Sequence, residues 1–165
     1  IGNRKKGVRM MAAQASTEEL LDLYRELIID HAKSPRHYGK MDSATHQAAG
    51  VNPLCGDKLE VYLHINPDGR IDEVSFEGSG CAISVASASL LTESVTGLNE
   101  NEATARFEYV VDALTGSRPP AYADLGKLAA LLGVREFPSR VKCATLSWHA
   151  LNAAINGASE PATTV

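Results

Sequence analysis

The chain has 165 residues and a mass of 17.6 kDa, with 44% hydrophobic and 22% charged residues and a mean hydropathy of −0.12. These are the dimensions of one globular domain with a core of its own, and no apolar run approaches the roughly 20 residues that cross a bilayer. The net charge of −4 is uneven: four of the 16 basic residues, Arg4, Lys5, Lys6 and Arg9, precede the first acid and leave 12 basic against 20 acidic residues in the remainder, which argues against nucleic-acid binding through Lys and Arg contacts to phosphate.

Residues 1–15 read as a flexible basic arm or an expression remnant, because the chain starts at Ile1 and its basic stretch leads into no apolar segment of signal-peptide length. The single domain is expected over 16–156, followed by a frayed tail over 157–165. Ser16-Thr17-Glu18-Glu19 has the form of a capping box, and Leu20, Tyr24, Leu27, Ile28 and His31 follow at spacings of three and four. A first helix therefore spans about 17–33 and ends before Pro35, with His31 as a packed core histidine. From about 58 to 78 the period is two: Leu59, Val61, Leu63 and Ile65 alternate with Glu60, Tyr62 and His64, and Val74 and Phe76 alternate with Glu73, Ser75 and Glu77 across a Pro67-Asp68-Gly69 turn. That pattern is an antiparallel hairpin with one covered face and an exposed His64.

Gly78-Ser79-Gly80-Cys81 opens an Ala- and Ser-rich helix over 82–95, whose small residues permit close packing. A second capping box, Asn99 with Glu102, starts a helix closed by Gly116. A short helix around 125–132 and a last helix from Cys143 to Ile155 complete the chain, with Leu146, Leu151 and Ile155 as buried positions and Trp148 and Tyr109 as core residues. The expected class is α+β: a small antiparallel β-sheet packed with several helices.

The chain has three cysteines, an odd and sparse set that makes a poor disulfide framework and points to a reducing cytoplasm. Taken alone, each is most simply a small buried hydrophobe. Their contexts differ from that reading. Cys55 lies in the Pro/Gly-punctuated loop Asn52-Pro53-Leu54-Cys55-Gly56-Asp57, Cys81 sits at a helix N-terminus where a thiolate is favoured, and Cys143 follows the basic loop Arg140-Val141-Lys142 at the expected start of the last helix. Asp57, two residues after Cys55, can turn toward the same ion; its alternative is an ordinary turn-capping aspartate. Three thiolates and a carboxylate satisfy four-coordinate zinc, and a sulfur-rich set also suits iron–sulfur chemistry. The long, unequal separations match no zinc finger. A Cys143/His149 pair would stand roughly 120° apart on a helix, and neither a phosphate-binding Gly-rich loop nor a Gly-x-Ser-x-Gly elbow is present.

The segments Asp30-His31 with Pro35-Arg36 and Gly39, Asn52-Pro53-x-Cys55-Gly56-Asp57, Gly80-Cys81-Ala82-Ile83-Ser84 with Ala86-Ser87-x-Ser89, and Arg140-Val141-Lys142-Cys143-Ala144-Thr145-Leu146 resemble the SufU/IscU-type iron–sulfur cluster assembly proteins, the NifU N-terminal-like family. The resemblance runs from about Thr17 to Ile155 and is closer to the SufU branch. Lys142 stands where IscU-type proteins have a histidine, an extra stretch includes Asp124-Leu125-Gly126-Lys127-Leu128, and Phe137-Pro138-Ser139-Arg140-Val141-Lys142 replaces the IscU chaperone motif. It implies a SufE/NifU-like fold and a Zn2+ site of Cys55, Asp57, Cys81 and Cys143. It further implies a sulfurtransferase-like role: persulfide sulfur is received on Cys55 from a SufS-type cysteine desulfurase, as a desulfurase histidine displaces that thiol from zinc, and passed toward the SufBCD assembly complex in the cytoplasm. Arg140 is a candidate partner for Asp57 as ligands rearrange. The alternatives are an IscU-like scaffold on which a transient [2Fe–2S] cluster assembles on the same cysteines, and a zinc-stabilised interaction domain without sulfur chemistry. No nucleic-acid or membrane partner is implied.

Overall fold

Alternation along 57–79 produces the centre of the molecule. In the computed structural model, which describes residues 2–117 and 122–164, strands β2 (Asp57–Ile65) and β3 (Ile71–Ser79) pair antiparallel. Leu59, Val61, Leu63, Val74 and Phe76 are all buried on the covered face, as the period-two pattern requires. Tyr62, on the other face, is also buried, and its hydroxyl donates to the Glu77 carboxylate at 2.5 Å. His64 is half-buried and pairs with Asp72 at 2.6 Å.

Two strands enlarge the hairpin beyond the sequence expectation. β1 (His46–Asn52) pairs antiparallel with β2 along its whole length. Its Ala- and Gly-containing sequence has little strand propensity, and the pairing with β2 supplies what local preference lacks. β4 (Ala162–Thr163) adds parallel to β1 at Gly50 and Val51, giving the order β3-β2-β1-β4. The tail expected to fray from 157 thus returns to the sheet, with Thr164 buried.

The helices cover one face of this sheet. α1 runs from Gly2 to Lys33, so it begins well before the expected start near 17, and Ser16 lies inside it rather than at its cap. The Met10–Ala15 stretch contains only helix-compatible residues, with no glycine or proline to stop propagation. α2 (Ala82–Val95) and α3 (Glu100–Thr115) have the expected bounds. The Asn99–Glu102 capping box is complete, and Gly116 adopts the left-handed C-terminal conformation. The next segment is a single α turn, α4 (Tyr122–Leu125), followed by a 3-10 stretch over Gly126–Val134. Gly126 has φ +55°, outside the α region, which breaks the α turn at that point. α5 (Pro138–Ile155) starts five residues before Cys143, because proline fits the first helical position, where its missing N–H is not needed.

Leu90 and Leu91 of α2 and Leu146, Trp148 and Leu151 of α5 join the sheet residues in one core. The buried Ser84, Ala86, Ser87, Ala88 and Ser89 let α2 approach its neighbours closely. Ser87 donates to the Ala144 carbonyl at 2.5 Å and receives the Trp148 indole N–H at 3.2 Å, fixing α2 against α5. His31 of α1 is fully buried and bonded through Nδ1 to Ser89 Oγ at 2.6 Å. Leu146 and Leu151 are buried as expected, whereas Ile155 and Tyr109 are only partly so. The α+β class holds, with a mixed rather than wholly antiparallel sheet. Among the described residues no helix is long and apolar enough to cross a membrane.

Candidate metal centre

The four residues singled out in the sequence converge at one end of the sheet. Asn52 and Asp57 face each other as the last pair of β1 and β2, and 53–56 make the turn between them. The Cys55 and Gly56 N–H groups both donate to the Asn52 carbonyl, at 3.2 and 2.9 Å, and the Asn52 side chain accepts from Leu54 N–H at 3.3 Å. Gly56 closes the turn at φ +74°, a conformation other residues adopt only with strain. The turn leaves the Cys55 side chain exposed and buries Asp57 at 4% exposure.

Cys81 is the N-cap of α2, in extended conformation and with no side-chain capping bond, so its sulfur is free to point into the site. Cys143 lies in the second turn of α5 rather than at its start and is fully buried. One ligand atom each from Asp57, Cys81 and Cys143 lies within 4.8 Å of the others. Cys55 stands outside that trio on the exposed turn, with its sulfur 4.0 Å from Cys143 Sγ.

Asp57 is held at both oxygens. Cys81 N–H donates to Oδ1 at 3.1 Å, and the buried Ser84 hydroxyl donates to Oδ2 at 2.5 Å. Gly80 makes room for this arrangement, since a Cβ there would sit 3.1 Å from both Asp57 Cγ and Ser84 Cβ. Burial pushes the Cys143 thiol pKa up to about 12, with the Cys81 sulfur and the Asp57 carboxylate adding to the shift. Arg140, exposed one turn before Cys143, faces the sulfurs. Cys81 first and Cys143 second raise its pKa. Among the described residues no ion pair joins Arg140 to Asp57.

This donor set fits zinc. Tetrahedral Zn–S bonds of about 2.3 Å place sulfurs about 3.8 Å apart, close to the 4.0 Å between Cys55 and Cys143 and within the 4.8 Å spread of the other three. A cation held by Asp57, Cys81 and Cys143 would offset the upward pressure that burial puts on the Cys143 pKa. His31 is not a ligand but a core residue, and His149 packs edge-on against Phe107 at 5.3 Å, away from any pairing with Cys143.

Sequence reasoning missed Ser84 as a part of the site. Its signal is positional: three residues after Cys81, it faces inward on the same side of α2. Reasoning from the sequence also placed Cys143 at a helix start, when the proline five residues earlier already marks one.

The NifU-like N-terminal domain model matches residues 23–144. The chain belongs to this family. Within it, the chain is 40% identical over 129 residues to the zinc-dependent sulfurtransferase SufU of Bacillus subtilis, covering 78% of this chain and 86% of that protein. It is 38% identical over 138 residues to the iron–sulfur cluster assembly scaffold protein IscU of Streptococcus pyogenes, covering 83% and 85%. A crystal structure described as a putative SUF-system scaffold protein from Fervidobacterium islandicum superposes with a TM-score of 0.74 at 32% identity, covering 79% of this chain and 94% of that one. The matched residues 23–144 take in β1, β2, β3, α2 and the first turns of α5, together with Cys55, Asp57, Cys81 and Cys143.

Proposed function

We propose that this NifU-like domain is a zinc-dependent persulfide acceptor and carrier in iron–sulfur cluster assembly, with Cys55 as the acceptor thiol. The observation that carries the reading is the contrast within the donor set: Asp57, Cys81 and Cys143 are buried or half-buried within 4.8 Å of one another, while Cys55 is exposed on a turn. Cys55, Asp57, Cys81 and Cys143 would hold Zn2+, which would supply the positive charge that favours thiolate ligands.

A thiolate on a turn, joined to the site at one edge, leaves with less rearrangement than one fixed in a helix. Released, the Cys55 thiolate attacks the terminal sulfur of a persulfide on a cysteine desulfurase. A new S–S bond forms at Cys55 while the donor S–S bond breaks. The donor cysteine departs as a thiolate, and the exchange involves no net oxidation or reduction. Leu54, 72% exposed, and Phe137, 57% exposed, offer apolar surface for the donor near Cys55 and at the start of α5. Arg140, beside the Cys81 and Cys143 sulfurs, would pair with the Asp57 carboxylate when the ligands rearrange. Delivery to a SufBCD-type assembly complex would follow.

The scaffold reading, with a [2Fe–2S] cluster as cargo on the same cysteines, is favoured by the IscU name of a 38%-identical relative. Anaerobic purification followed by elemental analysis, together with a transfer assay using a cysteine desulfurase, separates the two. Stoichiometric zinc and a desulfurase rate that is stimulated by the wild type but not by Cys55→Ala support sulfur transfer. An iron chromophore without stimulation supports the scaffold.

A further inference from the structure

Several hydroxyls of α2 bond outside their own helix, Ser87 to the Ala144 carbonyl and Ser89 to His31, and Ser84 among them reaches the candidate site. A serine or threonine in a helix can bond to a carbonyl one turn back, as Thr92 of α2 does to the Ser89 carbonyl at 2.7 Å and Thr96, just past its end, to the Thr92 carbonyl at 2.6 Å. Ser84, with no exposed surface, instead sends its only proton across to Asp57 Oδ2 at 2.5 Å. Its oxygen also lies 3.6 Å from Cys81 Sγ. The hydroxyl thus sits at the junction of two candidate ligands.

With Cys81 N–H on Oδ1 and Ser84 on Oδ2, the plane of the Asp57 carboxylate is set before any ion arrives. Each carboxylate oxygen can accept at two positions, so both bonds can persist while one oxygen ligates a metal. Outer partners of this kind fix ligand orientation and tune affinity. Cys55 is held differently: its backbone is tied to Asn52, and its side chain is exposed, with its sulfur 4.0 Å from Cys143 Sγ.

We propose that Ser84 is a positioning residue of the centre: its bond to Oδ2 presets the orientation of the Asp57 carboxylate and so raises the affinity of the site for the ion. This rests on the zinc reading above and deepens it.

The test measures zinc affinity of the metal-free full chain by competition with a chromophoric chelator, for the wild type, Ser84→Ala, Asp57→Ala and the double variant. Ser84→Ala should bind zinc about 10–100-fold more weakly and Asp57→Ala at least as weakly. Because Ser84 acts through Asp57, the double variant should match Asp57→Ala within about twofold. Ser84→Thr, which keeps the hydroxyl, should stay nearer the wild type than Ser84→Ala does. Thermal unfolding of the metal-free variants should show all of them folded, so that a weaker site is not a lost fold. A Ser84→Ala affinity within about twofold of wild type, or losses that multiply in the double variant, overturns the role of Ser84. Equal affinities for wild type and Asp57→Ala would instead overturn the ligand set itself, so the two failures are distinguishable.

Discussion

Cys55 and Asp57 stand two residues apart in one turn, yet the fold gives them opposite environments. Strand alternation at the start of β2 turns Asp57 inward to 4% exposure, while the turn closed by Gly56 holds Cys55 outward. Removal of each side chain should therefore have a different consequence. Cys55→Ala should retain zinc through the remaining three ligands, with a solvent molecule able to complete four-coordination, and lose persulfide acceptance. Zinc content and sulfur transfer measured on the same preparation check this, and full transfer by Cys55→Ala contradicts it. Gly80 provides a second test. An added Cβ 3.1 Å from Asp57 Cγ and Ser84 Cβ displaces the carboxylate, so Gly80→Ala should weaken zinc binding while the metal-free melting temperature changes little. A large loss of stability with unchanged zinc affinity would show that Gly80 serves packing instead. At this scale the sequence was most informative for Cys55 and Cys81, whose Pro/Gly and Gly-Ser-Gly contexts report local backbone geometry. It was less informative for Ser84, whose spacing of three from Cys81 gives its side of α2 but not its bond to a residue 27 positions away.

Among the elements, the α1–α2 contact carries the clearest condition dependence. His31 is buried against Ser89, its Nε2 lies 3.5 Å from Glu93, and burial lowers its pKa, with the nearby Arg36 acting in the same direction. Burial lowers the pKa of His149 as well. A histidine whose pKa falls on folding contributes stability that is complete above the ordinary value of about 6.5 and is lost as pH drops through it. The metal-free protein should therefore lose melting temperature between about pH 7.5 and 5.5, and His31→Gln should show a shallower slope that reflects the remaining His149. An unchanged slope would mean that His31 takes up no extra proton on unfolding, and would contradict a pKa lowered by burial. Asp30, held low by its bond to Arg36, responds only at lower pH. The elements with strong periodicity, an explicit capping box or bounding glycines, namely β2 and β3, α3, and α2 between Gly80 and Gly97, were legible in the sequence. β1, β4 and the 3-10 stretch were not: β1 has little strand propensity of its own and forms by pairing with the adjacent β2, the partner of β4 lies far back in the chain, and the left-handed Gly126 diverts the third.

Across the whole molecule the candidate centre joins the β1–β2 turn to the starts of α2 and α5, elements separated widely in the chain. An ion bound there stabilises the folded state by mass action, by about 4 kcal/mol at a free concentration 1,000 times the dissociation constant. For a chain of this size that raises the melting temperature by roughly 10 °C, an effect that chelation should reverse and that Cys143→Ala should largely remove. Calorimetry with and without zinc measures it, and an unchanged melting temperature contradicts a centre that bridges these elements. The most direct test of the sulfur-transfer account is mass mapping of the zinc-loaded protein after brief incubation with a cysteine desulfurase and cysteine, with thiols blocked before digestion. The account predicts one additional sulfur atom on the peptide containing Cys55, and none on those containing Cys81 or Cys143. Sulfur first appearing on Cys81 or Cys143, with Cys55 unmodified, would contradict it.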